Sequence, residues 1–233
     1  MEKLIYLLWK DERQSRREFS ETLLQKLAPE LANSDALGVQ FNLVDDAIVP
    51  AEHMLIENTK PRYHAMVSVW LESAFARKPI EQRLAHYAPR IAGYLVTESC
   101  PLRNTTHSAA PGERTPGFSQ VVLLRRPVRL SVQEWLSIWL DSHTQIALDT
   151  QATFAYRQHV VVRPLTDDAP PCDAIIEEGF PAEAMLSQEV FFAAEGDPAL
   201  LQKNQQTMIE SCSRFIDFDQ MEACATSEYK IKS

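Results

Sequence analysis

Two of the six histidines in this chain stand among aromatic and polar neighbours at ordered spacing. Imidazole is the side chain best suited to moving a proton near neutral pH. His143 closes a run in which Trp135, Ile138, Trp139 and Ser142 recur at the three- and four-residue steps of one helix face. His159 lies in Tyr156-Arg157-Gln158-His159-Val160, a segment that reads as a strand. Either imidazole could take and return a proton, as dehydration or enolisation of a carbonyl compound requires. Each also has a plainer reading: His143 as a helix-terminal histidine favoured by the dipole, His159 as a satisfied strand residue. Trp135 and Trp139 could line a pocket for an aromatic compound or be plain core. Arg125 and Arg126 follow a strand, where one of them could hold an anionic or phenolate oxygen, with a surface ion pair as the default for both; Arg157 and Tyr156 are further substrate-binding candidates. Glu177 and Glu178 are adjacent on a strand and take opposite faces, which refuses a paired-carboxylate mechanism and puts one of them near the interior. His53, His64, His86 and His107 lack partner spacing and read as structural or exposed.

Composition narrows the chemistry. Cys100, Cys172, Cys212 and Cys224 show neither CxxC spacing nor a histidine at zinc-ligand spacing, so no metal is expected. No Walker loop, GxGxxG or GxSxG occurs, and only six glycines are present, which argues against a phosphate cradle built from backbone. Cofactor-free chemistry or simple binding of a small hydrophobic molecule remains. A net charge of −9 leaves no footprint for nucleic acid or an anionic membrane. No apolar run approaches the roughly 18 residues of a membrane span. The opening Met1-Glu2-Lys3-Leu4-Ile5-Tyr6-Leu7-Leu8-Trp9-Lys10 lacks a small-residue cleavage site and reads as a strand, so a cytoplasmic protein with reduced thiols is expected.

Residues 4–41 and 120–157 are two copies of one pattern at a constant offset of 116. Ser15 falls on Ser131, Glu18 on Glu134, Phe19 on Trp135 and Leu23 on Trp139. The copies differ where chemistry would sit: Leu27 stands opposite His143, Gln40 opposite Tyr156 and Leu43 opposite His159. In the second copy the spacing predicts a strand over 118–126 and a helix opened by the Ser131–Glu134 capping box. Strands over 153–163 and 172–180, a helix over 198–213 and a strand over 221–230 follow. The first copy repeats the order with strands over 38–44, 63–71 and 91–98 and a helix within 79–88, and Pro29 stops its first helix. The third strands match at an offset of 109.

The order β-α-β-β-α-β is the ferredoxin-like split unit. The fold class is therefore α+β: two ferredoxin-like repeats, 1–99 as the degenerate half and 118–233 as the half bearing the site. A linker rich in proline, glycine, serine and threonine spans 100–117. Each sheet has helices on one face, so packing the open faces together gives an intrachain pseudo-dimeric α+β barrel. Further self-association stays open. Carrying the 116-residue register through the second strand puts Arg157 and His159 under the helices with His143 and Trp139, and turns Tyr156 toward the other sheet.

The second copy resembles the EthD-domain family. The resemblance rests on Leu124-Arg125-Arg126-Pro127-Val128-Arg129-Leu130-Ser131, on Trp135 and on Trp139-Leu140-Asp141-Ser142-His143. It continues in Tyr156-Arg157-Gln158-His159-Val160, Asp173-Ala174-Ile175-Ile176-Glu177 and Arg214-Phe215-Ile216-Asp217, and covers about 118–231. The best echo in the first copy is Tyr63-His64-Ala65-Met66-Val67-Ser68-Val69-Trp70. The resemblance implies a dimeric α+β barrel. It also implies an association with degradation of small organic compounds or dehydration of aromatic polyketides. Two classes follow: a cofactor-independent dehydratase or lyase, isomerase or oxygenase working through a histidine proton shuttle, or a non-catalytic ligand-binding or assembly protein with a vestigial pocket.

Overall fold

The computed structural model describes residues 1–58 and 61–232. Its first half runs β1 (Glu2–Trp9), helix α1 (16–32), β2 (Gly38–Leu43), β3 (Ala65–Leu71), α2 (Lys78–Tyr87) and β4 (Arg90–Leu102). The second half repeats the order with β5 (Phe118–Leu124), α3 (132–150), β6 (Ala155–Pro164), β7 (Ala174–Phe180), α4 (Pro198–Ser213) and β8 (Glu222–Lys232). Within the halves the strands lie in the orders β4-β1-β3-β2 and β6-β7-β5-β8. Antiparallel seams between β2 and β8 and between β4 and β6 close all eight into one barrel. Among the described residues no helix is long and apolar enough to cross a membrane.

The long helices are built alike because their sequences begin alike. Ser15 and Ser131 each accept from the backbone of a glutamate three residues on, and that glutamate returns a bond to the cap, completing both capping boxes. α1 comprises Arg16–Thr22, a π-helical stretch at Leu23–Leu27 and a last turn at Ala28–Ala32. α3 comprises Val132–Leu136, a π-helical stretch at Ser137–His143 and Thr144–Thr150. Pro29 does not stop α1, which continues to Ala32. The π stretch has already displaced the ladder by one residue, with the Ala28 N–H reaching Leu23 O, so Pro29 enters as a first-turn residue.

Alternation along the strands sorts the core into three. Phe19, Leu23, Leu27 and Leu31 of α1 pack on Leu4, Tyr6, Phe41 and Val67 on the outer face of the first half. Trp135, Trp139 and Ala147 of α3 pack with Tyr156, Ile176 and Phe215 on the outer face of the second. The barrel interior is divided along its axis. One end is apolar, with Leu7, Trp9, Tyr63, Met66, Tyr94, Leu123 and Ile175. The other holds Lys3, Gln40, Asn42, Ser119, His159, Glu177, Thr226 and Glu228, all buried.

The register of β6 corrects the expectation from the 116-residue offset. Gln40 pairs with Ser68, and Arg157 pairs with Glu177. Since β3 and β7 correspond at an offset of 109, Gln40 corresponds to Arg157 and Asn42 to His159, an offset of 117. The stretch from His143 to Arg157 is one residue longer than that from Leu27 to Gln40. One residue inverts a strand. Arg157 and His159 therefore face the barrel interior and Tyr156 faces the helices.

Candidate functional site

Lys3 is at the centre of the polar end because β1 begins there, with Lys3, Ile5 and Leu7 on its inner face. Its ammonium is 2.6 Å from Glu98 Oε2 on β4 and 2.7 Å from His159 Nε2 on β6. Glu177 Oε1 on β7 lies 3.5 Å away, and the Trp70 ring centroid 4.4 Å away. His159 is wholly buried, and its Nδ1 is 3.0 Å from the Ile175 carbonyl. That carbonyl can only accept, so Nδ1 carries the proton and Nε2 offers its lone pair to Lys3. Glu98 Oε2 and Glu177 Oε1 flank Nε2 at 3.3 and 3.6 Å.

Arg157 extends the network, reaching Glu228 at 2.7 Å and Glu177 at 3.3 Å. Gln40 donates to Glu177 at 2.6 Å and to Asn42 at 2.8 Å, and Thr115 donates to Glu228 at 2.9 Å. The charges set the protonation states. Burial opposes ionisation of Glu98, but the Lys3 ammonium 2.6 Å away outweighs it and holds its carboxyl at about 2. Burial likewise opposes ionisation of Glu177, and Lys3 and Arg157 hold it at about 2. Burial and then Lys3 depress His159, against the pull of Glu98 and Glu177, so its imidazole is neutral. Formally the cluster opposes Lys3 and Arg157 to Glu98, Glu177 and Glu228, so it is one positive charge short.

Above this cluster a cavity of about 400 Å³ opens at the barrel end. Its wall includes Leu37, Val39, Gln40, Trp70, Glu98, Arg103, Arg157, Lys230 and Lys232. Glu98 is the member of the Lys3–His159 contact that also faces this space. Among the described residues no group of His, Cys, Asp or Glu is arranged to hold a metal ion.

The residues singled out from the sequence divide between three places. Arg157 and His159 meet in the barrel. His143 lies on the far side of the sheet, in the layer under α3 and α4, with Nδ1 2.9 Å from Ser211 Oγ and its ring 4.7 Å from that of Phe215. Burial first, and Arg214 second, depress it to about 4. Trp139 and Tyr156 are core in the same layer, and Trp135 donates to the Phe215 carbonyl at 3.0 Å. A pocket bounded by Trp139, His143 and His159 does not form, because the inverted register puts the sheet between them. Arg126 follows β5 at the opposite barrel end, where its guanidinium donates to the Leu130 carbonyl and its backbone N–H to Asp173 at 2.8 Å. Glu177 takes the interior face, as one of the pair had to. Glu178 is buried on the helix side, where burial pushes it up to about 7.

Lys3, Gln40, Glu98 and Glu228 were not singled out from the sequence. Lys3 carried the available signal, a lysine inside an otherwise apolar opening strand. The other three belong to strands whose partners are set only by barrel closure.

No family model matches the chain, and no curated protein matches it. Solved structures similar over its whole length include two that share its fold. One is an anthrone oxidase-like protein, 7% identical, covering 100% of this chain and 94% of the other at a TM-score of 0.60. The other is a proposed chlorite dismutase, TA0507, 9% identical, covering 100% and 96% at 0.50. The fold is a pseudo-dimeric α+β barrel of eight antiparallel strands. At these identities the likeness carries the fold alone, and the barrel is completed here by two halves of one chain.

Proposed function

We propose that this pseudo-dimeric α+β barrel acts on a small hydrophobic, aromatic or polyketide-like molecule at the polar end of its barrel, by cofactor-independent proton transfer. The supporting observation is Glu98, which lines the open cavity and contacts both Lys3 and His159. A proton leaving the carbon beside a substrate carbonyl passes through Glu98 to the neutral His159 Nε2. It returns to another atom of the same molecule in an isomerisation, or to a departing hydroxide in a dehydration. The arriving proton supplies the positive charge that the cluster lacks. The anthrone oxidase-like neighbour and the EthD-like motifs of the second half agree with an aromatic substrate. An oxygenase reaction would begin with the same proton removal. The halves 1–99 and 118–233, linked by 100–117, are read as a tandem duplication in which the site draws on both.

The test is turnover in a screen of aromatic ketones and polyketide-like compounds, comparing the parent with Glu98→Gln and His159→Asn. Each variant is expected to lose about 10²–10⁴-fold in kcat. Undiminished turnover in both variants, with native circular dichroism, sinks the proton shuttle. One observation favours the second reading, a non-catalytic binding protein: the His159 lone pair is occupied by Lys3 and the ring is sealed from the cavity. Ligand binding without turnover of any compound would decide for it.

A further inference from the structure

The cavity at the polar end has a sign, and that sign opposes the rest of the molecule. Glu98 is matched inward by Lys3, and Arg157 is matched inward by Glu228 and Glu177. Three further cations on the wall are not matched. Lys232 donates to the Ser34 carbonyl at 3.1 Å, which satisfies a proton but neutralises no charge. Arg103 and Lys230 meet no carboxylate among the described residues. These three come from the strap after β4 and from the end of β8, and they converge on one space of about 400 Å³ in a chain of net charge −9. A cationic mouth on an acidic protein concentrates anions locally while the bulk of the surface repels them. Trp70 supplies an aromatic face in the same wall, braced by Lys3 4.4 Å from its centroid.

We propose that the cavity takes an aromatic oxyanion, its ring beside Trp70 and its carboxylate or phosphate among Arg103, Lys230 and Lys232. This rests on the reading of the barrel mouth as the site and narrows the substrate class. Arginine's planar fork matches either oxyanion, and the two lysines add point charges around it. A neutral aromatic of the same shape would leave those charges unanswered.

Isothermal titration with 2-naphthoate, 2-naphthamide and 2-naphthyl phosphate tests it on the full chain. Naphthoate is expected to bind about ten-fold or more tighter than naphthamide. That advantage should shrink in about 0.5 M sodium chloride and vanish in the double variant Arg103→Gln, Lys230→Gln. Arg13→Gln, at the far end of the barrel, should change nothing. Tighter binding of naphthyl phosphate than of naphthoate assigns the anion to a phosphate ester, and the reverse order assigns it to a carboxylate; both support the proposal. Equal affinity for naphthoate and naphthamide, no binding of any of the three, or affinity indifferent to the double variant overturns it. The shuttle fails separately. Oxyanion binding that depends on Arg103 and Lys230, with no compound turned over, removes the catalysis and keeps the subsite. Turnover of a neutral compound that depends on Glu98 and His159, without oxyanion binding, does the opposite.

Discussion

Lys3 holds the buried Glu177, the cavity-facing Glu98 and an imidazole at once, so its loss exposes more than one missing contact. In Lys3→Met, Glu98 and Glu177 face each other across a hydrocarbon chain, and an uncompensated buried charge costs about 3–5 kcal/mol. Urea denaturation at pH 7 should show that loss. Both carboxyls are held at about 2 in the folded state against 4.5 as their ordinary value. Their contribution is therefore complete above pH 4.5 and lost as pH falls toward 2, and the gap between variant and parent should narrow across that window. A gap independent of pH would remove Lys3 from this role. Glu178 carries the opposite sign. Burial raises it from 4.5 to about 7, so the folded state holds a proton that the unfolded state releases, and stability falls as pH rises from 4.5 to 7. Glu178→Gln should cancel about 3 kcal/mol of the loss between pH 4.5 and 8, read from chemical denaturation at the two pH values. An unchanged profile would contradict the assignment.

At the scale of elements, α1 and α3 place Leu27 and His143 at the ends of matching π stretches, each against its own core. His143 is depressed from 6.5 to about 4, so its neutral form is the native one. Its contribution is complete above pH 6.5 and lost as pH falls toward 4, where the unfolded chain takes up the proton first. His143→Leu should fold, since α1 accepts leucine at that position and Ser211 keeps its bond from Arg214 at 3.1 Å. The variant should lose about 2 kcal/mol less than the parent between pH 8 and pH 5, with kcat unchanged. A kcat that collapses in a folded His143→Leu would return the site to the layer under the helices. The helices were legible: both capping boxes and both apolar stripes are written at a constant spacing, and the local physics of a helix needs no distant partner. The facing of β6 was not legible from that spacing. Helical residues carry the repeat, and one extra residue beyond His143 leaves them untouched while inverting every side chain of the strand.

The whole molecule closes through two seams, β2 with β8 and β4 with β6, leaving no unpaired strand edge in the barrel. Sedimentation at low concentration should therefore find a folded monomer; a dimer that unfolds on dilution would mean that closure alone does not stabilise the chain. The ion cluster crosses both halves, with Lys3, Gln40 and Glu98 from one and Arg157, His159, Glu177 and Glu228 from the other. Residues 118–233 expressed alone should accordingly self-pair or aggregate. A monomeric second half with a native spectrum would count against the shared interior.

Composition, periodicity and caps determined the class of this protein: two α+β units, each with one helix-covered face and one open apolar face that demanded a partner. Those features are local, and the hydrophobic effect reads them without knowing the topology. The tertiary structure alone decided which side of β6 carries the chemistry, because facing depends on register and register on pairing with β7 and β4. It also decided that Lys3, near one end of the chain, meets Glu98 and His159. No spacing encodes that contact. It exists because barrel closure brings three inward-facing side chains to one depth, where the burial of Lys3 makes its charge require a carboxylate partner.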